Sequence, residues 1–140
     1  MKKTTKHLVA ATALLNGLAL SQLAHATTIE FWTTQTQTDR LNNIELLTST
    51  FEALNDGVSI KVVAVDENEM ATQMAAAVAA NTTPQLIEVN SEIIMAFGEE
   101  GIVDTATHQA VIDDIGQQSF HKGALTTLKS PTGQYYGLPY

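Results

Sequence analysis

Apolar and polar positions along this chain alternate in blocks of two different periods. Ile29, Phe31 and Trp32 form a short apolar run that fits a pleated, buried surface, and the uncharged polar stretch from Thr33 to Thr38 follows it directly. Leu41, Ile44, Leu47, Phe51 and Leu54 then recur at three- and four-residue steps, the stripe of an amphipathic helix. Thr38 is the expected N-cap of that helix, and Asp39 suits the positive end of its dipole. Asn55-Asp56-Gly57 supplies a stop, and Val58, Ile60 and Val62 alternate with Ser59 and Lys61 in a second strand, Val58 to Val65.

Asp66 is positioned to cap the next helix, with Glu69 three residues on, and Met70, Met74, Ala77 and Val78 give it a narrow apolar stripe. Asn81 ends it and Pro84 keeps it from continuing. Gln85 to Val89 is the third strand; Ser91 is placed to cap a helix facing inward through Ile93, Ile94 and Phe97, until Gly98 and Gly101 break it. Strand and helix thus alternate three times with short connections. That order predicts an α/β fold, a mostly parallel sheet with right-handed crossovers and helices on both faces. Farther on, Val111, Ile112 and Ile115 suggest a short helix, and Phe120, Ala124, Leu125 and Leu128 a second one beyond a break near Gly116. Ser130 to Gly133 is a turn, and Gln134 to Tyr140 reads as a returning strand.

The first twenty-six residues follow a different pattern. Lys2, Lys3 and Lys6 precede an apolar run from Leu8 to Leu20, and Ala24-His25-Ala26 closes it with a small-x-small sequence, the plan of a secretory signal peptide cleaved after Ala26. Nothing later is continuously apolar for the roughly eighteen residues that a membrane span needs. Residues 1–26 are therefore expected to be removed, leaving 27–140 as one exported domain in a periplasm.

Without that segment only Arg40, Lys61, Lys122 and Lys129 oppose all fifteen acidic residues, a balance of −11. Such a chain is a poor partner for nucleic acid. It has no cysteine, which excludes disulfides, thiolate chemistry and a lipid-bearing cysteine anchor. His108 and His121 have no partner at ligand spacing, so no metal site is expected. A G-x-S-x-G elbow, an H-E-x-x-H pair and a glycine-rich phosphate loop are all missing, so neither an enzyme nor a cofactor is expected. The rival reading is an exported hydrolase whose catalytic residues lie beyond Tyr140.

In an open α/β sheet, ligands bind outside the carboxyl ends of the strands. That rule makes Thr33, Thr34 and Gln35 candidate contacts. Trp32 has two readings, an aromatic face at the mouth of the cleft or a core residue under the first helix. Ser91 could cap its helix and share the same amides with a ligand oxygen. Glu67 and Glu92 could accept hydrogen bonds from ligand hydroxyls or serve as dipole partners.

The segments IEFWTT (Ile29 to Thr34), TSTFEALNDGVSIKVV (Thr48 to Val63), MAAAVAANTTPQLIEVNSE (Met74 to Glu92), FGEEGIVD (Phe97 to Asp104) and GQYYGLPY (Gly133 to Tyr140), taken in order, resemble the amino-terminal lobe of the extracellular solute-binding proteins of ABC importers, family 1, the maltose- and glycerol-3-phosphate-binding type. The resemblance implies a type II periplasmic-binding-protein lobe and a clamshell that captures a small-molecule solute, a carbohydrate or a related polyol or glycerol phosphate, for a membrane permease. It also implies that 27–140 is a fragment ending at the hinge, with the second lobe absent. Ligand contacts would follow the three strands, at Trp32 to Gln35, at Asp66 and Glu67, and at Asn90, Ser91 and Glu92. Where sugar-binding members place a stacking aromatic after the third strand, this chain has Val89 and Asn90, so the resemblance names no particular sugar.

Overall fold

A computed structural model describes residues Thr27–Tyr140, and the segment expected to be a signal peptide lies outside the described residues. Three strands, β1 (Thr27–Thr33), β2 (Val58–Ala64) and β3 (Leu86–Glu88), form one sheet in the order β2-β1-β3. Both pairings are parallel, with Trp32 opposite Val63 on one side and Ile87 on the other. The helices are α1 (Thr38–Leu54), α2 (Met70–Ala80), α3 (Ser91–Glu99), α4 (Thr105–Ile115) and α5 (Lys122–Thr127). The expected α/β architecture with a parallel sheet is present.

Successive residues of a strand point to opposite faces, so register decides what is buried where. Trp32, Val63 and Ile87 share one face, and with Val65 they pack against Met70, Met74 and Ala77 of α2 and Phe97 of α3. This is the main core. A second, smaller core joins Ile112 of α4, Leu125 of α5 and Tyr135, with Phe120 and Leu138 against them. Apart from these, Gly98 of α3 lies under the Tyr136 ring; a Cβ there would stand 2.1 Å from Tyr136 Cγ.

The structure corrects several local expectations. α1 starts at Thr38, so Gln37 is its cap residue, and no side chain caps it. Its apolar stripe is covered only in part: Leu41 and Ile44 are half-buried, no residue of α1 is fully buried, and Leu47 and Leu54 are 70% and 79% exposed. A three-stranded sheet with a three-residue edge strand has too little surface to cover a seventeen-residue helix. Asp66 caps a turn and not α2, because its carboxylate accepts from the Asn68 backbone N–H (2.9 Å) and side chain (3.0 Å), and the helix starts only at Met70. Val78 lies on the outer side of α2 at 42% exposure, while Asn81 ends the helix in the left-handed conformation (φ 55°).

At α3 the cap is Asn90, whose side-chain oxygen accepts from Ile93 N at 2.9 Å, and Ser91 is the first helical residue. Two adjacent residues could cap; the one whose backbone is still extended (ψ 167°) does so. Gly98 stays inside the helix, and the left-handed turn falls at Gly101 (φ 73°). Gln134 to Tyr140 makes only one antiparallel bridge, Lys129 to Tyr135, in place of a strand. Its two buried tyrosines fill the contacts with α3 and α4, so the strand-like composition is spent on packing and not on a ladder.

Candidate functional site

The carboxyl ends of β1 and β3 and the loop after β2 surround a polar hollow of about 400 Å³. Its wall begins where β1 leaves the sheet. Thr33 is fully buried (0% exposed), and its hydroxyl accepts from Gln35 N at 3.0 Å while donating to a Glu88 carboxylate oxygen. Thr34 N donates to the Glu88 carbonyl at 3.1 Å, and Val65 N to the Thr33 carbonyl at 2.9 Å, so backbone bonds fasten all three strand ends together. Gln35 Nε2 donates to Glu88 Oε1 at 2.8 Å, and Arg40 Nη1 from the first turn of α1 donates to Gln35 Oε1 at 2.6 Å. The Tyr140 hydroxyl donates to the same Glu88 oxygen. Opposite, the Asn90 amide donates to Glu67 Oε1 while its carbonyl oxygen caps α3.

Glu88 carries the main electrostatic feature. Burial works to raise its carboxyl pKa, but hydrogen bonds from Thr33, Tyr140 and Gln35, with the nearby Arg40 charge, outweigh burial and hold it below the usual range. The Tyr140 phenol is raised in turn, chiefly because it donates to Glu88. Among the described residues, Asp66, Glu67 and Glu88 face a single cation, Arg40, around the hollow.

Of the residues singled out from sequence, Thr34, Gln35, Asp66, Glu67 and Asn90 line this hollow. Ser91 borders an adjoining, larger apolar groove of about 1190 Å³ that runs past β3 between α1 and the α4–α5 region. Trp32 sits in the main core at 8% exposure, its indole N–H donating to Glu30 Oε1 at 2.7 Å, and not at the mouth. Thr33 is enclosed, and its hydroxyl is bonded to Glu88 and Gln35. Glu92 is exposed in the first turn of α3 and lines neither hollow nor groove.

Sequence reasoning passed over Glu88, Arg40 and Tyr140. The signal for Glu88 was legible: one carboxylate within the apolar run Leu86 to Val89, at the carboxyl end of its strand. Arg40 and Tyr140 carried none: Arg40 reaches Gln35 through the turn into α1, and Tyr140 reaches Glu88 only because the terminal segment returns to β3.

No family model matches the chain. It is 26% identical over 112 residues to an Escherichia coli protein named "Putative ABC transporter periplasmic-binding protein YcjN", covering 79% of this chain and 26% of that protein. Among solved structures it is similar to CpMnBP1 with mannotriose bound (TM-score 0.70, 21% identity, 81% of this chain and 28% of the other). It is also similar to the ABC substrate-binding protein Lmo0181 from Listeria monocytogenes in complex with cycloalternan (TM-score 0.62, 22% identity, 77% and 27%). The chain thus spans about a quarter of the length of the proteins it matches. These likenesses bear out the resemblance read from the sequence: the fold is that of part of a periplasmic-binding-protein lobe.

Proposed function

We propose that this chain supplies one wall of the solute site in an extracytoplasmic binding protein of an ABC importer, taking a neutral carbohydrate or polyol and passing it to a membrane permease. The observation that carries the reading is the polar hollow at the carboxyl ends of parallel strands, in a fold shared with proteins solved with mannotriose and cycloalternan. Amides, two threonines and carboxylates around Arg40 are donors and acceptors suited to hydroxyls. Three carboxylates against one guanidinium disfavour a phosphate, which narrows the solute to the uncharged members of the class. The other wall comes from the rest of the binding protein, because a half-open hollow leaves a ligand hydrated on one side, whereas small-molecule sites bury about 70–90% of their ligand.

The hydrolase reading finds no support at this rim. A general acid needs a carboxyl whose pKa is raised toward neutrality. Glu88 is lowered and already accepts three side-chain hydrogen bonds. Export with cleavage after Ala26 completes the proposal, leaving Thr27 as the new terminus. A thermal-shift screen of uncharged oligosaccharides, polyols and glycerol phosphates tests it: stabilisation by an uncharged saccharide supports the reading, and stabilisation by glycerol phosphate alone refutes it.

A further inference from the structure

We propose that Glu88 is the positioning residue of this rim: its carboxylate sets which way the Gln35 amide points, and Gln35 in turn holds the Arg40 guanidinium over the hollow as the hydrogen-bond donor to a solute hydroxyl. The inference rests on the solute-binding reading above and adds to it a residue that makes no ligand contact of its own.

The geometry carries it. A glutamine amide has a donor end and an acceptor end, and nothing intrinsic to the side chain prefers one orientation. Here the donor end is committed to Glu88 Oε1 at 2.8 Å, and so the acceptor end faces Arg40 Nη1 at 2.6 Å. Reversing the amide would point its oxygen at the Glu88 carboxylate and its N–H groups at the guanidinium, breaking both bonds at once. Glu88 itself has little to offer a ligand, since Thr33, Gln35 and Tyr140 already donate to its two oxygens. Arg40 has five N–H donors and gives one to Gln35, so it keeps donors for the hollow. The charged and titratable groups near Glu88 are Arg40 from α1, Tyr140 from the terminal segment, and Asp66 and Glu67 across the hollow from the loop after β2. A rotatable arginine on an exposed helix turn binds weakly because it must first be ordered; an amide relay fixed by a carboxylate removes part of that cost.

The test has two arms on the purified protein. In the first, the Gln35 side-chain amide signal is identified in a nitrogen–proton NMR spectrum by its loss in Gln35→Ala, then followed as pH is lowered. Movement below the usual carboxylate range, abolished in Glu88→Gln, is the expected result. A Gln35 signal that does not move with pH, or that moves equally in Glu88→Gln, overturns the proposal without any ligand. In the second arm, calorimetry with mannotriose compares wild type, Glu88→Gln and the exchange variant Glu88→Gln with Gln35→Glu, which restores an amide–carboxylate pair beside Arg40. Glu88→Gln is expected to weaken binding roughly tenfold, with the exchange variant recovering most of it. Unchanged affinity in a Glu88→Gln protein that only melts earlier makes Glu88 a stability residue and overturns the proposal. If the first arm succeeds while no uncharged saccharide binds the wild type, the solute reading has failed and the orientation of Gln35 by Glu88 stands.

Discussion

Replacing Gly98 with alanine is expected to destabilise the fold, although alanine is the better helix former. A Cβ at this position would lie 2.1, 2.2 and 2.5 Å from Cγ, Cδ2 and Cδ1 of Tyr136, where ordinary contact begins at 3.4 Å. The ring would have to retreat by more than 1 Å. It has little freedom to do so, because it is buried and its backbone is held by the bond from Tyr136 N to the Leu128 carbonyl at 2.9 Å and by the neighbouring bridge from Tyr135 to Lys129. Forcing an extra carbon into such a contact costs about 1–3 kcal/mol, occasionally more. Replacing glycine within a helix returns about 1 kcal/mol. At 2.1 Å the clash lies at the upper end of that cost, so the balance is a loss of about 2 kcal/mol, or a fall in melting temperature of about 8 °C at roughly 4 °C per kcal/mol for a domain of this size. Differential scanning calorimetry on Gly98→Ala reads it directly, with the double variant Gly98→Ala, Tyr136→Leu expected to cost less than the sum of its single changes. A Gly98→Ala protein that melts at or above the wild-type temperature would refute the reasoning, and with it the placement of Tyr136 against α3.

Three further outcomes are expected, two from the structure and one from the sequence. Asn90→Ala should cost about 1 kcal/mol through loss of the α3 cap, while Ser91→Ala should be nearly neutral; chemical denaturation that ranks them the other way would restore Ser91 as the cap. Because the Glu88 carboxyl is lower in the folded state than in the unfolded one, its contribution to stability is complete above the unfolded value and disappears as pH falls through the folded one. Wild type should therefore lose stability from about pH 4.3 downward more steeply than Glu88→Gln, and parallel profiles would contradict the Glu88 network. Mass spectrometry of the exported protein should find Thr27 at its amino terminus, and a product that keeps Leu8 to Leu20 would mean that this run is an anchor.

The fold was legible because period and punctuation agreed. The β-branched run from Val58, the Met70–Met74–Ala77 stripe and the Asn81 stop each set an element whose type the structure confirms, and the short connections between them required parallel strands. Which of two neighbours caps a helix was not legible. Asn90 and Ser91 are both competent, and the choice depends on where the chain leaves the sheet, a property of the fold and not of either residue. The α1 stripe shows the opposite failure. Leu47, Phe51 and Leu54 have the right spacing for burial, but spacing cannot say whether a covering surface exists, and among the described residues none covers them. Loop position was enough to bring Thr34, Gln35, Asp66, Glu67 and Asn90 around the hollow, whereas the place of Trp32 depended on which face of β1 it occupied. That face is the one covered by α2 and α3.

The measurement closest to the central claim is a calorimetric titration of the protein at its native length with uncharged oligosaccharides, mannotriose among them, and with glycerol phosphates as the anionic counterpart. It is repeated on a variant in which Gln35 and Asn90 are both alanine. The account predicts micromolar or tighter binding of at least one uncharged saccharide, no comparable binding of the phosphates, and at least a tenfold loss in the double variant. Tight binding of a glycerol phosphate, or saccharide binding that the double variant leaves untouched, would contradict it.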